Sequence, residues 1–567
     1  MHPRLPTILS VLAALLAGLV WAGSFPGWGN PAMAWLAPAA LLLISRPQQT
    51  GAALRLAYVA GVTHHLVSLR WLLHIPFPIG AVSAWLALSA YMALFPTLWC
   101  WLCWRLAPTS MRADAGQPGL PALASASWAA RSAWTFTCAA AWAGLELVSS
   151  RFLSGFPWNL LGTSQYESVA LIQVASFTGV YGVSFLVAWF SASLLCASAR
   201  LCLRPSRPTL SRQLSLGSSE VWGGLRDLVL PIAVIGSCLL FGLRHLRDTP
   251  APERSVRFAL VQPSIPQNLI FDPKENTNRF NKLLELSTLA MALKPDVLVW
   301  PEAAVPNLLR YDPHNYGAVT NLLAGSKTWM ILGADDAEPV LDSPRPNEAR
   351  YFNSAFLVSP DGTLAANYRK QRLVIFGEYV PLTRWLPFLR YLTPIDGGFE
   401  AGRAPGVFEI PSVQLRAGML ICFEDVFPQC ARECVDERTD LLVNLTNLGW
   451  FGESDAHWQH AAAAVFRAVE NRRPMVRCTN NGLTCWIDAA GRLHGVYFGD
   501  SKDIYGPGIK SAILPIPSQT SARELTYYTR HGDVFAASCL SLTVALQALR
   551  RRQRSGSSMN TTRGGVD

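Results

Sequence analysis

Long apolar segments occupy most of the first 250 residues and return once near the C-terminus. A transmembrane helix needs about 20 mostly apolar residues. Eight segments reach or approach this length, and we expect eight transmembrane helices at 6–24, 32–46, 54–75, 82–106, 133–150, 168–202, 227–245 and 532–549. The first segment alone would also fit a signal peptide. Because similar segments follow it, a first transmembrane helix is the better interpretation.

Between the seventh and eighth of these segments, over about residues 254–525, short apolar runs alternate with helical patterns. Two turn signals, at Pro360–Gly362 and Ala490–Gly491, predict hairpins. No GxGxxG motif opens a helix after the first strand, so an α/β sandwich is favoured over a Rossmann domain. The pattern predicts helices at 278–293 and 456–471, and strands at 256–261, 296–300, 328–333, 352–359, 413–421, 440–446 and 474–479.

The fold class that follows is a polytopic α-helical membrane protein that carries an α/β domain. We predict a bundle of seven helices over residues 1–250, the α/β domain over 251–528 and the last helix over 529–550. Residues 551–567 form a polar tail. From Ser555 onward it is rich in Gly and Ser, which predicts disorder.

Composition and charge support a membrane location. Half of the 567 residues are hydrophobic, 15% are charged, and the formal net charge is +10. No Lys/Arg stripe interleaved with aromatic residues is present, which argues against a nucleic-acid partner. Cytoplasmic loops of membrane proteins are enriched in Lys and Arg. In this chain arginines concentrate in alternate loops and after the last helix, which predicts a cytoplasmic N-terminus and a periplasmic α/β domain. The arginines concerned are Arg46, Arg55, Arg105, Arg112, Arg131, Arg200, Arg204, Arg207, Arg212, Arg226, Arg550, Arg551, Arg552 and Arg554.

The twelve cysteines are dispersed along the chain, and no pair of CxxC motifs has the spacing of a zinc site. We therefore expect no metal and no other cofactor. Whether Cys430, Cys434, Cys478 and Cys485 pair with one another is left open by the sequence.

Three predicted strands end in a reactive side chain. Val297–Val299 leads to Glu302, Leu364–Arg369 leads to Lys370, and Met419–Ile421 leads to Cys422. A carboxylate, an amine and a thiol would serve as general base, oxyanion stabiliser and nucleophile. A single Cys after an apolar run is more often a core thiol. The ordered set of three favours the catalytic interpretation.

The motifs around these residues resemble the carbon–nitrogen hydrolase (nitrilase) superfamily, through Trp300-Pro301-Glu302, Tyr368-Arg369-Lys370 and Cys422-Phe423-Glu424. More narrowly, the chain is similar to bacterial apolipoprotein N-acyltransferases. That similarity rests on Val261–Gln267, Phe376–Pro381, Asn447–Gly452, Trp458-Gln459-His460, Arg472-Arg473-Pro474, Thr479–Gly482 and, in the membrane half, Gly155-Phe156-Pro157-Trp158.

This resemblance implies a four-layer α-β-β-α sandwich on a bundle of eight helices. It also implies a catalytic triad of Glu302, Lys370 and Cys422, with Glu378 and Glu424 as supporting carboxylates. His460 is expected to be a helix-packing residue, because Glu302 already provides the base. The expected substrate-binding residues are Phe271, Phe156, Trp158, Phe423 and Trp450. The family often has Trp at the position of Phe271 and Tyr at that of Phe423, so this chain lacks a hydrogen-bond donor at both.

The implied reaction is phospholipid-dependent N-acylation of the α-amino group of S-diacylglyceryl-cysteine at a lipoprotein N-terminus, through a thioester on Cys422. The implied partners are a phospholipid donor and a diacylated prolipoprotein, and the enzyme is expected to be a monomer. Its expected location is the bacterial inner membrane. Three alternatives stay open: a membrane-anchored amidase or nitrilase acting on small periplasmic amides, a non-catalytic lipoprotein-binding scaffold, and a related acyltransferase with another acceptor.

Overall fold

The protein is described here by a computed structural model that covers residues 5–46, 50–108, 120–202, 225–247, 254–340, 348–383, 385–393, 398–516 and 523–562. The chain divides into two compact units. A helical unit comprises Met1–Leu69, Leu86–Arg244 and Asp533–Asp567. An α/β unit comprises Arg70–Trp85 and His245–Gly532.

In the described part of residues 1–250 the apolar sequence is mostly helical, because a backbone surrounded by hydrocarbon must satisfy its own hydrogen bonds. Within the described residues, the helices that precede the first strand are α1 Leu5–Ala22, α2 Ala37–Ile44, α3 Thr50–Ser68, α4 Pro78–Met92, α5 Leu94–Leu106, α6 Leu120–Ser125, α7 Trp128–Ser149, α8 Val169–Ile172, α9 Ala175–Thr178, α10 Val180–Cys202 and α11 Val229–Arg247.

Within the described ranges, three helical segments are both long and apolar enough to cross a membrane: Pro78–Leu106, Val180–Cys202 and Arg226–Arg247. This agrees with a polytopic membrane protein, but it is fewer than the eight predicted spans. One reason is that helix breaks divide some apolar segments. The predicted span 32–46 contains a 3₁₀ turn at Pro31–Trp35 and then only the eight residues of α2, about 12 Å of helix.

Two predictions concern the polar segments around these helices. Arg112, Arg204, Arg207 and Arg212, which contribute to the predicted orientation, lie outside the described residues. The prediction of a disordered tail from Ser555 is wrong as far as Thr562, because the last helix continues to that residue. Extending an existing helix costs far less than nucleating a new one, so a polar sequence can continue it.

The last helix, α18 Val534–Thr562, packs against α7 inside the helical unit. The contact is close because Gly144 on α7 has no side chain. A Cβ there would lie 2.8 Å from Leu540 Cα. Glycine at such a crossing lets two helix backbones approach each other, as is common in membrane bundles.

Two six-stranded sheets form the α/β unit, with strand orders β12-β1-β2-β3-β4-β5 and β11-β10-β9-β8-β7-β6. Their central strands β1-β2-β3 and β7-β8-β9 are parallel. The strands are β1 Arg254–Gln262, β2 Val297–Val299, β3 Trp329–Pro339, β4 Ala349–Val358, β5 Leu364–Arg369, β6 Gly406–Ile410, β7 Leu415–Ile421, β8 Leu441–Thr446, β9 Met475–Thr479, β10 Cys485–Ile487, β11 Leu493–His494 and β12 Gly508–Ile516.

Helices cover the outer faces of both sheets. The inner faces share one apolar core, to which Val299 of β2 and Val443 of β8 both contribute. A second core joins the outer face of the first sheet to its helices. The predicted α-β-β-α layering is therefore confirmed. The helices of this unit are α12 Gln267–Ile270, α13 Asn276–Met291, α14 Pro313–Leu323, α15 Pro428–Glu433, α16 Ala456–Asn471 and α17 Tyr527–His531.

The seven predicted strands and both hairpins are present in this unit. Several strand boundaries differ from the prediction. β3, predicted to end at residue 333, continues to Pro339, and β4, predicted to begin at residue 352, begins at Ala349. The strand predicted at 413–421 begins at Leu415, because Pro411–Val413 form a 3₁₀ turn. Strands β6, β10, β11 and β12 were not predicted. Cys430, Cys434, Cys478 and Cys485, whose pairing the sequence leaves open, are buried free thiols.

Candidate active site

Three strands of the α/β unit each deliver one of the predicted reactive side chains just past their last residue. Glu302 follows β2, Lys370 follows β5, and Cys422 follows β7. The Lys370 side chain is 1% exposed, and Glu302 is 7% exposed. Cys422 is only partly buried. The site therefore combines a buried ammonium and carboxylate with a cysteine that is partly exposed.

Lys370 lies between two carboxylates. Its Nζ donates to Glu302 Oε1 at 3.1 Å and to Glu378 Oε1 at 2.9 Å. Burial by itself lowers the pKa of a lysine, but Glu302, Glu378 and Cys422 raise the pKa of Lys370 well above its ordinary value. The lysine is therefore a fixed cation at physiological pH.

Asn353, on β4, joins the same two carboxylates from another direction. Its Nδ2 donates to Glu302 Oε1 at 2.8 Å and to Glu378 Oε1 at 2.7 Å. The other oxygen of each acid accepts a backbone N–H, from Asn447 at 2.8 Å for Glu302 and from Val374 at 2.8 Å for Glu378. Both oxygens of each carboxylate are thus engaged, which fixes how the acids point.

Cys422 occupies an unusual backbone conformation, with φ of +52°. Residues with a Cβ rarely adopt this left-handed region, and such outliers concentrate at functional sites. Asn444 Nδ2 donates to the Cys422 carbonyl at 3.0 Å and so supports the turn. Burial, followed by the charge of Glu302, raises the pKa of the thiol to about 12, and Lys370 opposes this shift. At rest the group is therefore a thiol, and a base is needed during the reaction.

Glu424 has a different surrounding from the other two acids. It is fully buried, and burial raises the pKa of its carboxyl although backbone N–H groups oppose the shift. Those donors are Gln371 N at 2.7 Å, Arg372 N at 3.1 Å and Ile421 N at 2.7 Å. Tyr368 Oη donates to it as well, at 2.9 Å. Glu424 therefore ties the segment after the lysine to the residue before the thiol.

Two of the predicted substrate-binding aromatic residues meet in the α/β unit. Phe271 is exposed, and its ring lies edge-on to Trp450 with centroids 5.2 Å apart. Phe423, the residue after the thiol, packs edge-on against Phe427 instead, at 5.0 Å. A phenylalanine at either position contributes apolar contact area without a polar hydrogen-bonding group.

Phe156 and Trp158 belong to the helical unit. Their rings are stacked with centroids 6.1 Å apart, and Trp158 is buried. Both residues lie in an apolar segment that follows α7. They form an aromatic group of their own within that unit.

Sequence reasoning missed Asn353 and the role of Tyr368. Tyr368 and Lys370 are two residues apart at the end of β5, so their side chains leave the strand on the same face. That spacing was a usable signal. Asn353 gave a weaker one, as a buried amide in the strand Ala349–Val358. Within the described ranges, no group of three His, Cys, Asp or Glu side chains could hold a metal ion.

Comparison with known proteins identifies the class of this site. Residues 257–513, which contain all the groups above that surround Lys370 and Cys422, match the model of the carbon–nitrogen hydrolase family. Together with the two-sheet sandwich, this defines a nitrilase-like catalytic domain. Residues 17–193 match the model of the apolipoprotein N-acyltransferase N-terminal domain.

Full-length relatives then give the particular family. An apolipoprotein N-acyltransferase of Geobacter metallireducens is 32% identical over 551 residues, 96% of this chain and 96% of its own length. Proteins with the same name from Chlorobaculum tepidum and Vibrio cholerae are 28% and 27% identical, over 96% and 86% of this chain and 97% and 88% of their own lengths. The chain belongs to the apolipoprotein N-acyltransferase family.

Among solved structures, an amidase of the nitrilase superfamily from Nesterenkonia AN1 is 17% identical. It covers 47% of this chain and 94% of its own length, with a TM-score of 0.34.

Proposed function

We propose that this protein N-acylates lipoproteins by way of a thioester on Cys422. The acyl chain comes from a membrane phospholipid, and the acceptor is the α-amino group of S-diacylglyceryl-cysteine at a lipoprotein N-terminus. The observation that carries the proposal is the hydrogen-bonded set of Glu302, Lys370 and Glu378, with Cys422 in a left-handed backbone conformation. Membership of the acyltransferase family supports this reaction over hydrolysis.

In the first half-reaction, Glu302 takes the proton of the Cys422 thiol. The thiolate attacks an ester carbonyl of the phospholipid, and a tetrahedral oxyanion forms. When the carbon–oxygen bond breaks, the leaving alkoxide receives the proton from Glu302 and departs as a lysophospholipid. The base is needed because a thiol whose pKa is about 12 is almost entirely protonated at neutral pH.

In the second half-reaction, the α-amine of the acceptor attacks the thioester carbonyl. Glu302 takes a proton from that amine, the carbon–sulfur bond breaks, and the thiolate regains the proton. The products are an amide-linked acyl chain and the free Cys422 thiol. No redox change or added reactant is required.

Lys370 supplies the positive charge in both steps. Its ammonium already donates to the two carboxylates, so it is held in place before the substrate binds. We assign it to stabilise the oxyanion, a contribution worth about 3 kcal/mol for one such donor. Glu378 and Asn353 keep it oriented, and Glu424 holds the segments on either side of the site.

A row of exposed apolar side chains next to Glu378 supports a lipid as the acyl donor. Leu382, Trp385, Phe388 and Tyr391 are 60%, 77%, 58% and 82% exposed. Phe388 and Tyr391 lie three residues apart in the 3₁₀ turn Pro387–Leu392, so these two side chains project to similar sides. The segment that carries them returns to the site where Phe399 N donates to the Glu378 carbonyl at 2.9 Å. Such a row suits contact with acyl chains.

The predicted aromatic residues complete the proposed lipid contacts. Phe271 and Trp450 form one apolar pair and Phe423 flanks the nucleophile. For Phe156 and Trp158 we propose a lipid-contacting role within the helical unit. Donor chains would be held by apolar burial, at about 0.8 kcal/mol per CH₂ group.

We further propose eight membrane spans, with a cytoplasmic N-terminus and the α/β domain in the periplasm. In this proposal the seven-helix bundle ends at residue 250, the α/β domain at 528 and the last helix at 550, and the enzyme is a monomer. The supporting observations are the apolar helices and the arginines of alternate loops. A reporter that works only in the cytoplasm should be active when it is fused after residue 550. A reporter that works only in the periplasm should be active when it is inserted in the α/β domain. The reverse pattern would contradict the orientation.

The function is tested by supplying the purified full chain with phospholipid and an S-diacylglyceryl-cysteine peptide. The peptide should gain one acyl chain, and one lysophospholipid should appear for each peptide modified. Cys422→Ala should abolish both products. Release of ammonia from small amides without peptide acylation would instead identify an amidase, and neither product from folded protein would favour the scaffold.

A further inference from the structure

A second group of buried polar side chains is centred on the turn that carries the nucleophile and has no part in the proposed reaction. Asp425, three residues after Cys422, is fully buried. Its carboxylate pairs with Arg477 of β9 and with His460 of α16. Arg477 and His460 are also buried. We call these three residues the Asp425 cluster.

The Asp425 cluster contains one buried anion and one buried cation, with a histidine that stays neutral. Burial lowers the pKa of His460 to about 3, although Glu302 and a hydrogen bond with the Cys422 backbone raise it in part. The Nε2 of His460 lies against the Asp425 carboxylate, and Arg477 donates a hydrogen bond to the same carboxylate. Asp425 is thus in contact with two different secondary-structure elements.

The cluster acts on the turn that carries the nucleophile. The 3₁₀ turn Cys422–Val426 contains both Cys422 and Asp425. Holding Asp425 on β9 and α16 therefore fixes the end of the turn opposite the thiol. Cys422 itself has φ of +52°, a conformation that persists only where the surroundings hold it. His460 also hydrogen-bonds the Cys422 backbone, so the cluster reaches both ends of the turn.

We propose that Asp425, held by Arg477 and His460, is a positioning residue that keeps Cys422 in its left-handed backbone conformation and so aims the thiol at the acyl carbonyl. This rests on the proposed function, because it assigns the cluster to the acylation of Cys422. It also gives His460 a role beyond helix packing.

A cluster that served folding alone would have other effects when altered. Loss of a buried ion-pair partner lowers stability wherever it occurs. Only loss of positioning slows the acylation of Cys422 in molecules that remain folded, while the thiol stays open to a small reagent that needs no alignment. Iodoacetamide is such a reagent. The two rates separate orientation from access.

The test compares Asp425→Asn with a matched control, Asp440→Asn. Asp440 is equally buried and pairs with Arg523, but it precedes β8 at the end of the sheet away from the thiol. In purified full-length enzyme with phospholipid, acylation of Cys422 is followed by mass spectrometry under single-turnover conditions. We expect Asp425→Asn to slow the acylation of Cys422 at saturating donor at least tenfold. The half-saturating donor concentration and the rate of iodoacetamide labelling should both stay within twofold of wild type. The control should lower only the melting temperature.

Arg477→Lys and Arg477→Met add a graded comparison. The lysine variant keeps the positive charge beside Asp425 and should retain more of the acylation rate than the methionine variant at equal folded fraction. Wild-type acylation rates in folded Asp425→Asn would overturn the proposal, as would an equal slowing by Asp440→Asn. If the wild type itself forms no acyl adduct, the proposed function fails rather than the positioning role alone.

Discussion

The protonation state of Cys422 decides how the proposed chemistry begins. Burial and the charge of Glu302 favour the neutral thiol, and Lys370 only partly offsets them. An enzyme that met water with a permanent thiolate would be open to oxidation and to wasteful attack. The arrangement instead keeps the thiol neutral until Glu302, oriented by Lys370, Asn353 and the backbone of Asn447, removes the proton.

The first prediction concerns the pH dependence of that thiol. Because its pKa is raised to about 12, the thiolate fraction should keep rising tenfold per pH unit from about pH 7 to about pH 10. A free cysteine, with a pKa near 8.5, levels off within this range. The rate at which iodoacetamide labels Cys422 in lipid-free wild-type enzyme is proportional to the thiolate fraction. Mass spectrometry of the Cys422 peptide measures this rate. A plateau near pH 8.5 would contradict the assigned environment.

At the residue scale, the strand ends pointed to Glu302 and Lys370, and the family resemblance added Glu378. The structure brings these three side chains within hydrogen-bonding distance around the lysine, and their catalytic roles stay predictions. Asn353 could not be predicted in the same way. Its two hydrogen bonds join strand β4 to segments that are distant in sequence, and an isolated buried Asn has many other uses.

At the scale of elements, the site depends on how closely β3 approaches the segment after β2. Gly333 of β3 lies where a Cβ would be 2.4 Å from the Pro301 carbonyl oxygen and 2.6 Å from Glu302 Cα. Both atoms are backbone, so neither can rotate away. The Ala304 N–H also donates to the Gly333 carbonyl at 2.9 Å. The glycine therefore sets the position of the base.

We expect Gly333→Ala to displace Glu302 and to lower acyl-transfer activity at least tenfold, with a loss of stability of about 1–3 kcal/mol from overpacking. Gly317→Ala is the matched control. Gly317 lies in helix α14, and no atom would lie within 4 Å of an added Cβ. That variant should be neutral or up to about 1 kcal/mol more stable, because alanine favours helix. Thermal unfolding and the peptide-acylation assay distinguish the two, and normal activity in Gly333→Ala would contradict this account.

Three of the four strands that were missed share a physical cause. β6, β11 and β12 lie at sheet edges, where a strand needs less apolar sequence. β12 contains Pro515, which argues against a central strand but is tolerated at an edge. The start of β7 was misplaced because Pro411 begins a 3₁₀ turn instead. Central parallel strands, buried on both faces, gave the clear apolar runs that predict strands well.

At the scale of the whole molecule, hydropathy predicted a membrane protein but not its helix breaks. The segment at 168–202 reads as one overlong apolar span. The structure divides it into α8, α9 and α10, with Gly179 at φ of +65° before the last of them. A glycine in that conformation ends a helix. Averaged hydropathy does not register such a local backbone change, so the number of spans was harder to predict than the class of protein.

The exposed apolar row also acts at this scale, because it concerns how the enzyme meets a lipid phase. Trp385→Ser removes the 77% exposed indole from the row of Leu382, Trp385, Phe388 and Tyr391. We expect a higher half-saturating concentration for phospholipid in vesicles, by roughly fivefold to thirtyfold for the loss of about 1–2 kcal/mol of apolar contact. Acylation from a short-chain, water-soluble thioester should change little.

The control for this prediction is Leu289→Ser, which removes a 61% exposed apolar side chain from helix α13. It should leave both donors unaffected. Equal responses of the two variants toward vesicles, or an equal loss with the soluble donor, would contradict a lipid-contacting role for the row.

The central claim is that an acyl group is carried on Cys422, and mass spectrometry of the Cys422 peptide tests it most directly. Enzyme purified from its membranes should carry a hydroxylamine-sensitive acyl adduct that is absent from Cys422→Ala and disappears when an S-diacylglyceryl-cysteine peptide is added. Folded wild-type protein that has been supplied with phospholipid and still shows only the free thiol would contradict the thioester mechanism.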